Sequence, residues 1–290
     1  MALSEDLEKI VRETRRFWGF LPFKKYVFLN IFRQGGGGLE HLNSTLLTSN
    51  SARSSTPEVR WLAFVSHEYF HSFNVKRLRP VALGPFDYER PSTSSLWISE
   101  GLTTYFGDLM VVRSGLGTAQ DYLSRLSSNI GQLQNSPGRL VQTLEQASLN
   151  VWTAGTSGVG QNNATTVSYY VKGPVVGFLL DAKIRRVTAG KKSLDDVMRL
   201  AFKRYSGGRG FTADQFLKTT EDVAGIDLKK WFRKALASTE ELDYSEALDW
   251  FGLRFAKSEE PAKAWKLEIR EDATELQKSN LRGLIGQTAK

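Results

Sequence analysis

The stretch FVSHEYFHSF, residues 64–73, carries two of the three histidines in a chain of 290 residues. His67, Glu68 and His71 form the pattern His-Glu-x-x-His. Residues four apart share one face of an α-helix, so both imidazoles can reach a single ion. Glu68 is rotated off that line. It can face a metal-bound water rather than the metal, which suits a general base. The alternative is a chance match on a buried helix. With so few histidines, composition alone produces the spacing only a few times in about a thousand such chains. The pattern therefore predicts a zinc site on a helix.

The flanking residues support that helix. In TPEVRWLAFVSHEYFHSF (56–73), Thr56 can cap, Pro57 suits the first helical position and Glu58 favours the positive helix end. Two histidines leave a catalytic zinc site one protein ligand short, with the fourth position kept for water. No histidine follows His71, so a carboxylate is expected. LWISEGLTTYFGDL (96–109) offers Glu100, the first acid of an apolar helical stretch, 29 positions after His71. Asp87 and Glu89 are rivals, but they lie in a proline-rich loop, 79–93. Thr104 and Asp108 follow Glu100 by one and two turns. They are candidates to support the metal ligands, because metal-bound imidazoles usually donate their other N–H to an acceptor.

Further outward, residues 5–18 read as an amphipathic helix with Ser4 as its cap. KYVFLNIF (25–32) reads as a strand, GGGG (35–38) breaks it, and LNSTLLTS (42–49) can return as a second strand. Helical periodicity covers 95–115, 118–134, 141–152, 168–188, 193–205, 212–224, 228–237 and 243–251. Turn signals such as SPG, SGGRG and AGID separate these segments. After about residue 254 the chain is charged and weakly periodic, which predicts an extension outside the core, the start of a further module. The expected fold is α+β and mostly helical, with a small N-terminal β portion and a C-terminal helical bundle. A zinc-binding region over 1–190 would be completed by a helical subdomain over 191–254, and 255–290 would be the extension.

The net charge is +8, but the basic residues are spread along the chain in groups such as RETRR and KKWFRK. Solvated helix faces account for them better than a nucleic-acid arm does. The absence of cysteine excludes disulfides and thiolate metal sites and leaves the compartment open. No apolar run is long enough to span a membrane. The charged N-terminus lacks the apolar core of a signal peptide, and a periplasmic or secreted location stays open should the native N-terminus lie further upstream. Oligomeric state is not legible.

Four ordered motifs, GGGGLEHLNST, HEYFHSFNVKRLRP, LWISEGLTTYFGDL and SYYVKG, resemble the glycyl aminopeptidase family of gluzincin metallopeptidases over roughly residues 16–253. The resemblance implies a thermolysin-like catalytic domain with one zinc ion. It also implies removal of N-terminal residues, glycine or alanine by preference, from peptides with a free N-terminus. It puts the metal on His67, His71 and Glu100 and the base on Glu68. In relatives of the aminopeptidase N type, a glycine-rich segment ending in Met-Glu-Asn holds the substrate amine. The matching segment here points to Glu40, with Gly37 and Gly38 beside it, although Leu39 and His41 depart from that pattern. A Tyr-x-Lys-Gly motif implies Tyr170 as the donor to the oxyanion, with Tyr169 next to it as the packed aromatic.

Chemistry is compatible with each role. Glycines let an extended substrate approach the backbone as at an edge strand, and a carboxylate in a partly dry site can pair with an ammonium. Taken alone, GGGG could equally be a linker or a phosphate loop without its Lys-Ser/Thr ending. The family's usual N-terminal β-rich domain and C-terminal PDZ-like module have no counterpart in these 290 residues, which suggests a piece of a longer protein. Two rival readings follow. One is a zinc endopeptidase of the same fold with a structural Glu40. The other is a basic scaffold that keeps the fold without the catalysis.

Overall fold

A computed structural model describes residues 2–49, 58–84, 93–151, 162–260 and 263–286. The fold is α+β and mostly helical, as expected. It opens with α1 (Ala2–Trp18), which starts two residues before the expected cap at Ser4. Three short strands follow: β1 (Val27–Phe32), β2 (Gly37–Glu40) and β3 (Ser44–Ser49). Their order is β1-β3-β2, with β1 parallel and β2 antiparallel to the central β3. The glycine run was expected to break the sheet. Its second half is instead the edge strand β2, aligned so that Gly38 faces Leu47 and Glu40 faces Thr45.

The helix α2 (Val59–Phe70) carries the histidine motif. Its cap is Glu58, so that residue lies before the helix rather than in its first turn, while Thr56 and Pro57 fall outside the described residues. Consecutive residues of a helix point in different directions, and the end of α2 uses each one. Tyr69 packs edge-on against Tyr26 at 4.8 Å between ring centres and touches Phe28 of β1. Phe70 points elsewhere, to Phe17 of α1 and, stacked at 5.2 Å, to Phe106. Just past the helix, Phe73 stacks on Trp18 at 4.8 Å. Aromatic contacts on two sides thus fix the roll of the helix, and the face bearing His67, Glu68 and His71 is left for the cleft.

The expected helix over 95–115 is two elements. A π-helical turn (Trp97–Gly101) contains Glu100, and α3 (Leu102–Arg113) continues from it. Single π turns inside helices are frequent at functional sites. The chain then forms α4 (Ala119–Gln134), α5 (Leu144–Leu149) and α6 (Tyr169–Val187). Next come α7 (Leu194–Tyr205), α8 (Ala213–Ala224), α9 (Lys229–Ala237) and α10 (Ser245–Phe251). Helices α7, α8 and α10 pack on α6. One hydrophobic core runs from Phe17 to Ile285, across residues 190 and 254 alike.

The expectation for the C-terminal segment is corrected. Residues after 254 form β5 (Leu267–Ile269), paired with β4 (Leu253–Phe255), and then α11 (Glu275–Leu284). Leu267, Leu281, Leu284 and Ile285 are buried in the main core. A helix needs only a few apolar residues on one face to dock, so a charged composition concealed a packed element. Thr274 and Gln277 form a capping box that marks its start.

Two glycine contacts set how closely the central helices approach. A Cβ on Gly173 would lie 2.6 Å from the Cα of Gly101, and one on Gly107 would lie 3.1 Å from the His67 backbone nitrogen. The first contact brings α6 onto the π turn and the second brings α3 onto α2. Gly173→Ala should therefore destabilise the protein by about 1–3 kcal/mol by overpacking, despite its gain in helix propensity. Gly131→Ala in α4 meets nothing nearer than 3.9 Å and should stabilise by roughly 0.5–1 kcal/mol. Urea denaturation of both variants checks the pair, and equal effects would show that the Gly101–Gly173 contact does not set the helix spacing.

Candidate metal centre and cleft

His67 lies in the last turn of α2, and His71 caps it with helical backbone angles, its N–H donating to the His67 carbonyl at 3.2 Å. The two Nε2 atoms are 2.9 Å apart. Glu100 Oε2 lies 3.4 Å from His67 Nε2 and 3.3 Å from His71 Nε2. Ligand atoms around a tetrahedral ion with bonds of about 2.0–2.1 Å stand roughly 3.3 Å apart, so this spacing fits one ion. The donor set of two imidazoles and one carboxylate also fits zinc. Asp87 and Glu89, the rival ligands, fall outside the described residues.

The surroundings orient the ligands. His71 Nδ1 is 2.8 Å from the backbone oxygen of Asn74, to which it can donate. The Asn74 side chain donates to the Ile98 carbonyl and to Thr103, joining the motif to the π turn. The Thr104 hydroxyl donates to the Glu100 carbonyl at 2.9 Å and lies 3.2 Å from His67 Nδ1. Both imidazoles thus have an acceptor for the N–H turned away from the cluster, the usual arrangement of metal-bound histidine. Asp108 departs from its expected place. It pairs with Arg125 at 2.6 Å, because it lies one turn too far along α3 to do what Thr104 does. Asn74 could not be found from spacing, because its oxygen is a backbone atom.

Charge in the cluster is tightly balanced. Burial and the neighbouring His71 lower the pKa of His67. Burial also works against a charged His71, but Glu100 outweighs it and pushes His71 up to about 9. Burial would raise Glu100, yet the two imidazoles hold it well below the usual carboxylate range. The cluster therefore binds a positive charge strongly at a point where a metal cation would supply more of it.

Glu68 sits beside this cluster, and burial, with Glu40 and Glu100 near it, pushes its carboxyl up to about 7. Its Oε2 is buried with no hydrogen-bond partner among the described residues. An orphaned carboxylate oxygen next to three inward-facing ligands is a further sign that a bound group belongs here. Gly38 of β2 lies directly over Glu68, and a side chain there would clash with its carboxyl group.

A cleft of about 460 Å³ collects these groups. Gly37, Gly38, Glu40, His67, Glu68, His71, Glu100, Thr104 and Tyr170 all line it. Tyr170 is 39% exposed and stands 6.1 Å from the His67 ring, whereas Tyr169 is buried in the core. Burial and the nearby Glu100 keep the Tyr170 hydroxyl protonated. Glu40 has a carboxylate oxygen within 4.8 Å of ligand atoms of Glu68 and His71, and it pairs with Lys76 at 3.1 Å. Lys76 was not anticipated; its place in VKR, five residues past His71, could have drawn notice. His41 bonds back to the Leu39 carbonyl and does not line the cleft. A larger cleft of about 580 Å³ near Ser136 and Asn163 is lined, among the described residues, by no ionisable side chain.

Comparison with known proteins agrees with this geometry. A family model described as M61 glycyl aminopeptidase matches residues 60–176. The chain is similar to the crystal structure of an aminopeptidase N family protein from Idiomarina loihiensis, with a TM-score of 0.80 and 31% sequence identity. That match covers 88% of this chain and 45% of the other, so the chain spans about half the length of that relative. No curated protein matches the sequence. Residues 60–176, which hold the metal cluster, thus resemble the M61 glycyl aminopeptidase model, and the fold is similar to that of an aminopeptidase N family protein. No described helix is long and apolar enough to cross a membrane.

The ligand geometry predicts about one metal ion per chain. His67→Ala and His71→Ala should each lose it, as read by metal analysis after dialysis, and a full equivalent retained in both would rule this cluster out.

Proposed function

We propose that this chain is the catalytic part of a zinc aminopeptidase that removes N-terminal residues, small ones such as glycine or alanine, from peptides. The observation that carries the reading is one cleft holding both the His67, His71 and Glu100 triad and the Glu40 carboxylate, with Glu68 between them. The family description supports the peptidase reaction, and the preference for glycine rests on that description alone.

His67, His71 and Glu100 would hold a zinc ion, which would supply Lewis acidity at the scissile carbonyl and lower the pKa of water toward roughly 7. Glu68 does the proton work. Its buried oxygen, which has no hydrogen-bond partner among the described residues, accepts a proton from the attacking water and delivers it to the departing amine, and burial pushes its carboxyl up to about 7. Tyr170, protonated and open to the cleft, donates to the oxyanion as the carbonyl becomes tetrahedral. Glu40 receives the substrate ammonium at the end of β2. The free edge of β2 offers backbone groups to an extended peptide. An endopeptidase is the second reading. It is favoured by the Lys76 ammonium, which already neutralises Glu40.

Glu68→Gln should keep its metal and lose most turnover, since the amide cannot accept a proton. Tyr170→Phe should lower kcat by about a hundred- to a thousandfold with little change in KM. Metal analysis and steady-state kinetics on glycine and alanine arylamides decide both; a silent Tyr170→Phe beside a damaging Tyr169→Phe would move the role to Tyr169.

Glu40→Ala separates the two readings. An aminopeptidase should lose about ten- to a hundredfold in kcat/KM on free-amine peptides and much less on N-acetylated ones. A ratio of free to acetylated kcat/KM equal to that of the wild type would favour the endopeptidase.

A further inference from the structure

The Lys76 backbone N–H donates to the His71 carbonyl at 3.0 Å, so this lysine is tied to the end of the metal motif. Its side-chain ammonium sits 3.1 Å from Glu40 Oε1. A primary ammonium of the protein thus occupies the carboxylate to which the aminopeptidase reading assigns the substrate's own primary ammonium. The Lys76 side chain is 32% exposed and that of Glu40 20%. The lysine also lines a second cleft of about 420 Å³, which meets the first at Glu40 and Glu100 and includes Arg79, Leu42 and Ser99. The ammonium therefore has room to swing aside on a flexible stem.

We propose that Lys76 is a specificity-determining residue whose ammonium stands in for the substrate N-terminus on Glu40 and exchanges with it. The inference rests on the aminopeptidase reading above. Four carboxylates, Glu40, Glu68, Glu100 and Asp108, line the cleft, and of these Asp108 is already paired with Arg125. Without a cation of its own, Glu40 would wait unpaired beside two like charges whenever the cleft is empty or holds a blocked peptide. Lys76 removes that penalty. A free N-terminus must then displace Lys76, because two ammonium groups on one carboxylate repel. Its gain is therefore smaller than Glu40 would give it were Lys76 absent. An N-acetylated peptide leaves the Lys76–Glu40 pair in place and strands no charge. Lys76 thus narrows the discrimination that Glu40 alone would impose, and the enzyme accepts some blocked or internal bonds.

The test compares zinc-loaded wild type, Lys76→Met, Lys76→Arg and Glu40→Ala on one alanyl peptide in free and N-acetylated forms. Partly exposed ion pairs of this kind are worth about a two- to fivefold change. Lys76→Met should lower KM for the free peptide by that factor and lower kcat/KM for the acetylated one, so the free-to-acetylated ratio rises. Lys76→Arg should restore the wild-type ratio. Propylamine, titrated by NMR into the metal-free proteins, should bind more tightly to Lys76→Met by a similar factor. It should not bind at this site in Glu40→Ala. A higher KM and a lower ratio in Lys76→Met would mean that the lysine positions Glu40 for the substrate, which overturns exchange. An unchanged ratio with unchanged propylamine affinity overturns it as well. If Glu40→Ala itself kept the wild-type ratio, the aminopeptidase reading would fail first and the exchange would fall with it.

Discussion

Three backbones must come close enough for side chains from three helices to meet at one point. At two places this works because there is no side chain in the way. Gly101 faces Gly173 where the π turn meets α6, and Gly107 faces the His67 backbone where α3 meets α2. Glu100 is the residue before one of these glycines, and Tyr170 is one turn before another. His67 is itself one side of a contact. The spacing between imidazole, carboxylate and phenol is therefore set by helix packing rather than by the reach of flexible side chains. Such a frame holds ligands in place before any ion arrives.

The same packing forces an electrostatic problem. The triad is largely buried at the cleft, with His71 2% exposed and the side chains of His67 and Glu100 13% and 17% exposed. Burial penalises every charge in it, yet Glu100 remains ionised because two imidazoles face it. A buried charge of this kind is costly unless it is paired and hydrogen-bonded. Asn74 and Thr104 meet part of the requirement by giving the outer imidazole nitrogens a partner. Glu68 is left with the unmet part, an oxygen with no donor among the described residues and a raised pKa. Unmet hydrogen bonding at a rigid cleft is typical of a group awaiting a ligand or a reacting proton.

Much of this was legible in the sequence where the signal is local. His67, Glu68 and His71 share one helix, and i, i+4 geometry is enough to read them. The helices from α4 to α10 fell within a few residues of their expected limits, because apolar periodicity and turn residues mark them without tertiary information. What could not be read depends on contacts between distant segments. The π turn at Glu100 looks like ordinary helix in composition, and it lies where α6 packs closely on Gly101. β2 looks like a break because glycine has little strand preference. It pairs as a strand through backbone bonds to β3, and its missing side chain leaves room for Glu68. The Lys76–Glu40 pair spans 36 residues, and no local pattern announces it.

The edge strand gives a physical reason for an N-terminal reading rather than an internal one. β2 is only four residues long, and among the described residues its outer edge has no partner strand. A peptide lying along that edge would meet Gly38 beside Glu68 and then Glu40, the last residue of the strand. Beyond it the chain turns, with His41 bonded back through its backbone to Ser44. Backbone pairing therefore runs out about two residues past the base, where a carboxylate waits. An N-terminus ending there would exchange its hydration for an ion pair, whereas a continuing chain would need to leave the edge and pass Lys76. How strongly the site prefers the first depends on how readily Lys76 gives up Glu40. On the proposed reading, the Lys76–Glu40 ion pair thus sets how strongly the site favours a free N-terminus.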